Sequence, residues 1–147
     1  MKQMIYTLNR SKKGEILATG DYKGFCFYVV SYGTHPCAYV DVSNTSLANK
    51  DYDENNIDCH GGLTYGRDYL SAVDTERANG KWYIGWNYAH YGDYMPTSHV
   101  NILGAYGERE SVYGKWEKRW TTEEIVAECK NVINQIVNEE GMWNVIK

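Results

Sequence analysis

Residues 24–30 read Gly-Phe-Cys-Phe-Tyr-Val-Val. Successive side chains of an extended chain point to opposite faces. Phe25, Phe27 and Val29 therefore share one face, and Cys26, Tyr28 and Val30 share the other. Both faces are apolar or aromatic, the pattern of a central strand covered on both sides. Residues 31–36 form a turn, and residues 37–42 read as a second, antiparallel strand. Residues 14–20, flanked by turn residues, predict a short strand or hairpin arm. Residues 43–58 are a polar loop, and Leu63-Thr64-Tyr65 is a short strand after a Gly-Gly pair. A polar stretch then ends at Asn79-Gly80, a hairpin signal, before a strand over 81–87 with Trp82, Ile84 and Trp86 on one face. Residues 88–120 are irregular and polar-aromatic.

The last element has helical periodicity. Thr121-Thr122-Glu123-Glu124 fits a capping box, with Thr121 as N-cap and Glu124 reaching back to it. Ile125, Cys129, Val132, Ile133 and Ile136 recur on one helical face, and Gly141 supplies the stop. Antiparallel strands followed by one amphipathic helix predict an α+β fold, with the helix packed on one face of the sheet. At 147 residues, without repeats or a composition shift, the chain reads as a single domain, 1–147.

Composition changes this picture in one respect. There are 14 Tyr and 5 Trp but only 2 Phe. Tyr and Trp combine a flat apolar face with a polar tip, so they suit either the wet face of a sheet or a pocket for planar ligands. The net charge of −4 disfavours a long nucleic acid, which calls for a basic stripe. The short basic clusters at 10–13 and 115–119 read as solvated turns. A local pocket for a small anion is compatible with this charge. Cys26, Cys37, Cys59 and Cys129 lack CxxC spacing, and Cys26 and Cys129 lie in apolar runs as small core residues. The first residues carry no apolar signal region and no apolar run is long enough to span a membrane, so a cytoplasmic location is expected.

Three segments carry more chemistry than a core needs: residues 34–39, Cys59-His60-Gly61-Gly62-Leu63-Thr64-Tyr65, and residues 82–93. Gly61 and Gly62 allow close backbone approach and can expose N–H groups to an anion. His60 beside them can meet a phosphate or serve as a base; the alternative is a tight turn with a satisfied histidine. His90 and Asp93, three residues apart, meet if the chain makes one helical turn, and the carboxylate would then fix the imidazole tautomer. With His60 they would make a His-His-Asp metal set, but nothing in the sequence fixes the His60 to His90 distance. No metal and no cofactor is therefore assigned. Walker A, GxGxxG, HExxH, GxSxG and deaminase signatures are all missing.

The motifs His35-Pro36-Cys37-Ala38-Tyr39-Val40, His60 to Tyr65 and Trp82 to Asp93 together resemble a family of short phage and prophage proteins. That family carries His-Gly-Gly-Leu-Thr-Tyr followed by Trp-x-x-Gly-aromatic-Asp/Asn-x-Ala-His-x-Gly-Asp. The resemblance spans residues 24–94, with Ala38 and Asn87 where Gly and Asp are more usual. It implies a counter-defence protein in the host cytoplasm that acts on a nucleotide immune signal of cyclic ADP-ribose or cyclic dinucleotide type. In one reading the chain sequesters that signal, as a homo-oligomer with a pocket at the subunit interface. Tyr65, Trp86 and Tyr88 then stack on bases, Asn87 lies in the pocket, and His60, Gly61, Gly62 and His90 meet phosphates. In a second reading it is a phosphodiesterase, with His60 and His90 as acid and base, Asp93 orienting and Thr64 assisting. In a third it masks a host defence protein.

Overall fold

The computed structural model describes residues 14–32, 35–54, 56–77, 80–93 and 118–140. The strands are β1 (Glu15–Tyr22), β2 (Phe25–Ser31), β3 (Pro36–Asp41), β4 (Tyr65–Arg67) and β5 (Tyr83–Asn87), and the helix α1 is Thr122–Glu140. They form one antiparallel sheet in the order β1-β2-β3-β5-β4. The expected α+β arrangement, an antiparallel sheet with one C-terminal helix packed on it, is the arrangement observed. No helix among the described residues is long and apolar enough to cross a membrane.

The alternation in β2 divides the sheet into two faces. Phe25, Phe27 and Val29 join Val40, Ile84 and Trp86 on the inner face, under Ile125, Cys129, Val132, Ile133 and Ile136 of α1. All five of those helical residues are fully buried, as their spacing predicted. The capping box also forms: the Glu124 backbone N–H donates to Thr121 Oγ1 at 3.2 Å, and the Thr121 N–H donates to Glu124 Oε1 at 2.9 Å. Such a cap is worth about 1 kcal/mol. Gly141, the expected stop, lies outside the described residues, as do residues 94–117 of the irregular stretch and the basic cluster at 10–13.

The outer face is the tyrosine face. Val30, Cys37, Tyr39, Leu70 and Tyr83 form its buried centre, with Tyr28, Tyr32 and Tyr65 packed around them. Gly85 of β5 makes room there: a Cβ would stand 2.4 Å from Tyr39 Cδ1, so only glycine lets that ring lie across the strand. The segment after β4 turns back over this face. Asp74 braces it by accepting from the Leu70 N–H at 3.0 Å and from the Tyr83 hydroxyl at 3.1 Å. Burying Leu70 adds about 2 kcal/mol.

β4 and β5 pair antiparallel, with Leu70 buried in the segment between them; Asn79 of the expected hairpin signal lies outside the described residues. Two expectations need correction. The short strand expected at 63–65 begins at Tyr65 and runs to Arg67. Cys26 is not a core residue. It points to the outer face, where it is only half-buried, with its Sγ 3.8 Å from Asp21 Oδ2; Cys37 is the buried thiol there.

Candidate functional site

The inner face ends in a cluster of histidines around one carboxylate. His60 stands in a turn closed by the Gly62 N–H donating to the Cys59 carbonyl at 2.9 Å. Helix α1 holds this loop in place: the Asp58 N–H donates to Gln135 Oε1 at 2.7 Å and the His60 N–H to Glu128 Oε2 at 3.0 Å. His90 and Asp93 follow β5 in a second turn, closed by the Asp93 N–H on the His90 carbonyl at 2.8 Å. The two turns meet. His60 Nε2 lies 2.8 Å from Asp93 Oδ2 and 3.0 Å from Oδ1.

Asp93 is only 6% exposed and is held by several donors. Trp120 Nε1 donates to Oδ1 at 2.9 Å, and the His90 backbone N–H donates to Oδ2 at 2.9 Å. Burial alone would raise its pKa. The hydrogen bonds from His60, the His90 backbone and Trp120 outweigh burial and hold the carboxyl below its ordinary value. An ionised carboxylate only accepts, so His60 carries its proton on Nε2 in this pair. The His60 ring is stacked on Tyr88, with centroids 4.8 Å apart and planes 7° from parallel. His90 meets it edge-on at 5.2 Å and Trp120 packs at 4.9 Å. Gly61, at φ +71°, leaves room for the His90 ring, because a Cβ there would stand 2.2 Å from it.

Beside His60 opens a cleft of about 520 Å³, lined by Asp58, Cys59, Trp120, Glu124 and Glu128. Three of its eight lining residues are acidic, and one of these, Glu124, pairs with Lys118 at 2.7 Å. Cys59 offers no nucleophile: burial, aided by the Glu128 and Asp58 charges, pushes its thiol up to about 12.

A second cleft, also about 520 Å³, opens on the tyrosine face between Tyr32, Tyr65, Tyr69, Arg67, Ser71, Glu76 and Arg77. Tyr65 is fixed there, edge-on to Tyr39 at 5.1 Å, with its hydroxyl donating to the Tyr69 carbonyl. Arg77 pairs with Asp68. Arg67 is exposed and makes no ion pair among the described residues.

The sequence-derived candidates therefore fall in different places. His60, His90 and Asp93 share one cluster, with Gly61 and Gly62 beside it. Thr64 is directed to the sheet: its N–H donates to the Gly85 carbonyl at 2.9 Å and its Oγ1 accepts from Asn87 Nδ2 at 3.2 Å. Asn87 Oδ1 in turn accepts from the Ala89 N–H at 3.2 Å, which shapes the chain after β5. Trp86 and Tyr88 are each 1% exposed and belong to the core. Trp86 Nε1 donates to the Tyr88 hydroxyl at 3.0 Å, so both polar tips are used internally. Tyr65 lines the cleft of the opposite face.

Sequence reasoning missed Trp120, Glu128, Arg67 and Tyr69. A signal for the last two was available. Tyr65, Arg67 and Tyr69 stand at alternate positions, which an extended chain turns to one side. Trp120 and Glu128 left no such signal, since only the fold carries α1 to the His60 loop. Comparison with models of known protein families, with curated proteins and with solved structures finds no match to this chain.

Proposed function

We propose that the chain binds a small nucleotide-type ligand in the tyrosine-face cleft and holds it without cleaving it. The observation that carries this reading is the lining of that cleft: half-buried Tyr32, Tyr65 and Tyr69 beside the guanidinium groups of Arg67 and Arg77. Tyrosine rings stack on a base, and arginine forks bind phosphate oxygens in pairs. Glu76 accepts from a ribose hydroxyl or a base amine. Arg77 is already paired with Asp68, which leaves Arg67 as the main phosphate partner. The resemblance to short phage proteins favours an immune signal of cyclic ADP-ribose or cyclic dinucleotide type, met in the host cytoplasm.

The test is incubation of the purified chain with cyclic ADP-ribose and with cyclic di-AMP, followed by separation, heat release and mass analysis. Sequestration predicts depletion of one compound and its recovery at unchanged mass. A product of new mass overturns it, and so does failure to deplete either.

The His60–Asp93 pair favours a second reading, cleavage of the same ligand with His60 as general base. Under that reading His60→Ala abolishes a mass change seen with the parent chain. Its difficulty is electrostatic: Asp58 and Glu128 line the approach to His60 and repel a phosphate diester, while the charge of Glu124 is offset by Lys118.

A further inference from the structure

That acidic approach disfavours an anion and favours a cation. We propose that His60, His90 and Asp93 form a binding site for a divalent transition-metal ion of the zinc type, on the face opposite the nucleotide cleft and independent of it. One donor atom from each of the three residues lies within 4.8 Å of the others. Asp93 Oδ2 is the shared corner, 2.8 Å from His60 Nε2 and 3.4 Å from His90 Nδ1. Tetrahedral zinc, with bonds of about 2.0–2.1 Å, sets its ligand atoms roughly 3.3 Å apart. The His90–Asp93 edge already has that length. The His60–Asp93 edge opens slightly when an ion replaces the proton between the two groups.

Three further observations point to an ion. His90 Nδ1 is a buried ring nitrogen with no hydrogen-bond partner, facing Asp93. Orphaned buried polar atoms are rare, and coordination would satisfy this one. The ligands also have the outer support that metal sites use. Trp120 Nε1 occupies Asp93 Oδ1 and leaves Oδ2 facing the histidines, while Tyr88 fixes the plane of the His60 ring. Last, Asp58, Glu128 and Glu124, of which Glu124 pairs with Lys118 at 2.7 Å, line the cleft that reaches His60 without joining the cluster. The charge of Asp58 and Glu128 draws a cation in, and three protein ligands leave a fourth tetrahedral position for water. Two imidazoles and one carboxylate select zinc, cobalt or iron(II) over magnesium or calcium, which prefer all-oxygen sets. On binding, the His60 proton moves from Nε2 to Nδ1 and the Nε2 lone pair goes to the ion; nothing is oxidised.

The test uses the full chain, stripped of metal by a chelator and titrated with Co²⁺ and then Zn²⁺. The visible absorption of cobalt is the readout, with the part of the tryptophan fluorescence change that Trp120→Phe removes. The expected result is one Co²⁺ per chain, displaced by Zn²⁺, with an absorption band of four- or five-coordinate cobalt. His90→Ala and Asp93→Asn should not saturate where the parent does, and Trp120→Phe should bind about tenfold or more weakly. No cobalt band, or a band unchanged in His90→Ala, overturns the site. Should Asp93→Asn fail to fold, His90→Gln carries the same test, because His90 makes no side-chain hydrogen bond to lose. Recovery of intact nucleotide is measured on the same metal-free preparation, so either proposal can fail alone.

Discussion

The two clefts lie on opposite faces of one sheet and have the same volume, about 520 Å³ each, yet they have opposite chemistry. On the inner side, imidazoles and carboxylates converge around Asp93 and leave no free positive group among the lining residues. On the outer side, two guanidinium groups stand among three tyrosine rings. Net charge alone, −4 for the whole chain, conceals this division. Binding potential is set by the few groups within a Debye length, about 8–10 Å, and not by the sum over the molecule. One sheet can thus offer a cation site on one side and an anion site on the other, because it stands between the turns gathered under α1 and the segment that follows β4.

Asp93→Ala should make the largest difference between the sides. It leaves Trp120 Nε1 and the His90 N–H without their acceptor in a buried setting, at a cost of about 3 kcal/mol. Urea unfolding should show that loss, while nucleotide binding at the outer cleft stays within twofold of the parent. Gly85→Ala is the matching lesion on the outer side. Its Cβ collides with Tyr39 and with the Ala38 carbonyl, and overpacking of this kind costs about 2 kcal/mol. It should weaken nucleotide binding and spare the cobalt spectrum, as spectroscopy of the same variant would show. Arg67→Ala should lower nucleotide affinity about tenfold, near 1.4 kcal/mol, with the unfolding midpoint unchanged. Thr121→Ala removes the cap beside Trp120 and costs about 1 kcal/mol, and its effect on binding should be confined to the inner side.

Acidification should separate the sides as well. The Asp93 carboxyl is held below its ordinary value in the fold, so the folded state binds its proton less readily than the unfolded chain. Its contribution is complete above the unfolded value, about 3.9. It is lost as pH falls below that through the folded value. Asp93→Asn should flatten the corresponding acid limb in stability measured between pH 5 and about 2, and an unchanged limb would remove Asp93 from the account.

Much of the fold was legible in the chain. The alternation in β2 specified two covered faces, and the capping box with its apolar stripe specified α1, because these signals are local and each is repeated several times. Non-local features were not legible. Leu70 and Asp74 hold the segment after β4 across the tyrosine face, a contact that no local pattern announces. For the candidate site, the approach of His90 to Asp93 followed from their spacing, but the arrival of His60 did not. It depends on Gln135 and Glu128 of α1 gripping a loop some seventy residues earlier in the chain. Trp86 and Tyr88 look like exposed stacking groups only while their neighbours are unknown. Once α1 covers the inner face, they become its core, and the tyrosines of the other face remain open to a ligand.

The most direct test of the account is cyclic ADP-ribose and cyclic di-AMP binding by Arg67→Ala and His60→Ala, measured side by side with the parent chain by calorimetry. The account predicts that the parent binds one of these compounds, that Arg67→Ala weakens it about tenfold, and that His60→Ala leaves it within twofold. Loss of binding in His60→Ala with full binding in Arg67→Ala would contradict it and move the nucleotide to the inner face.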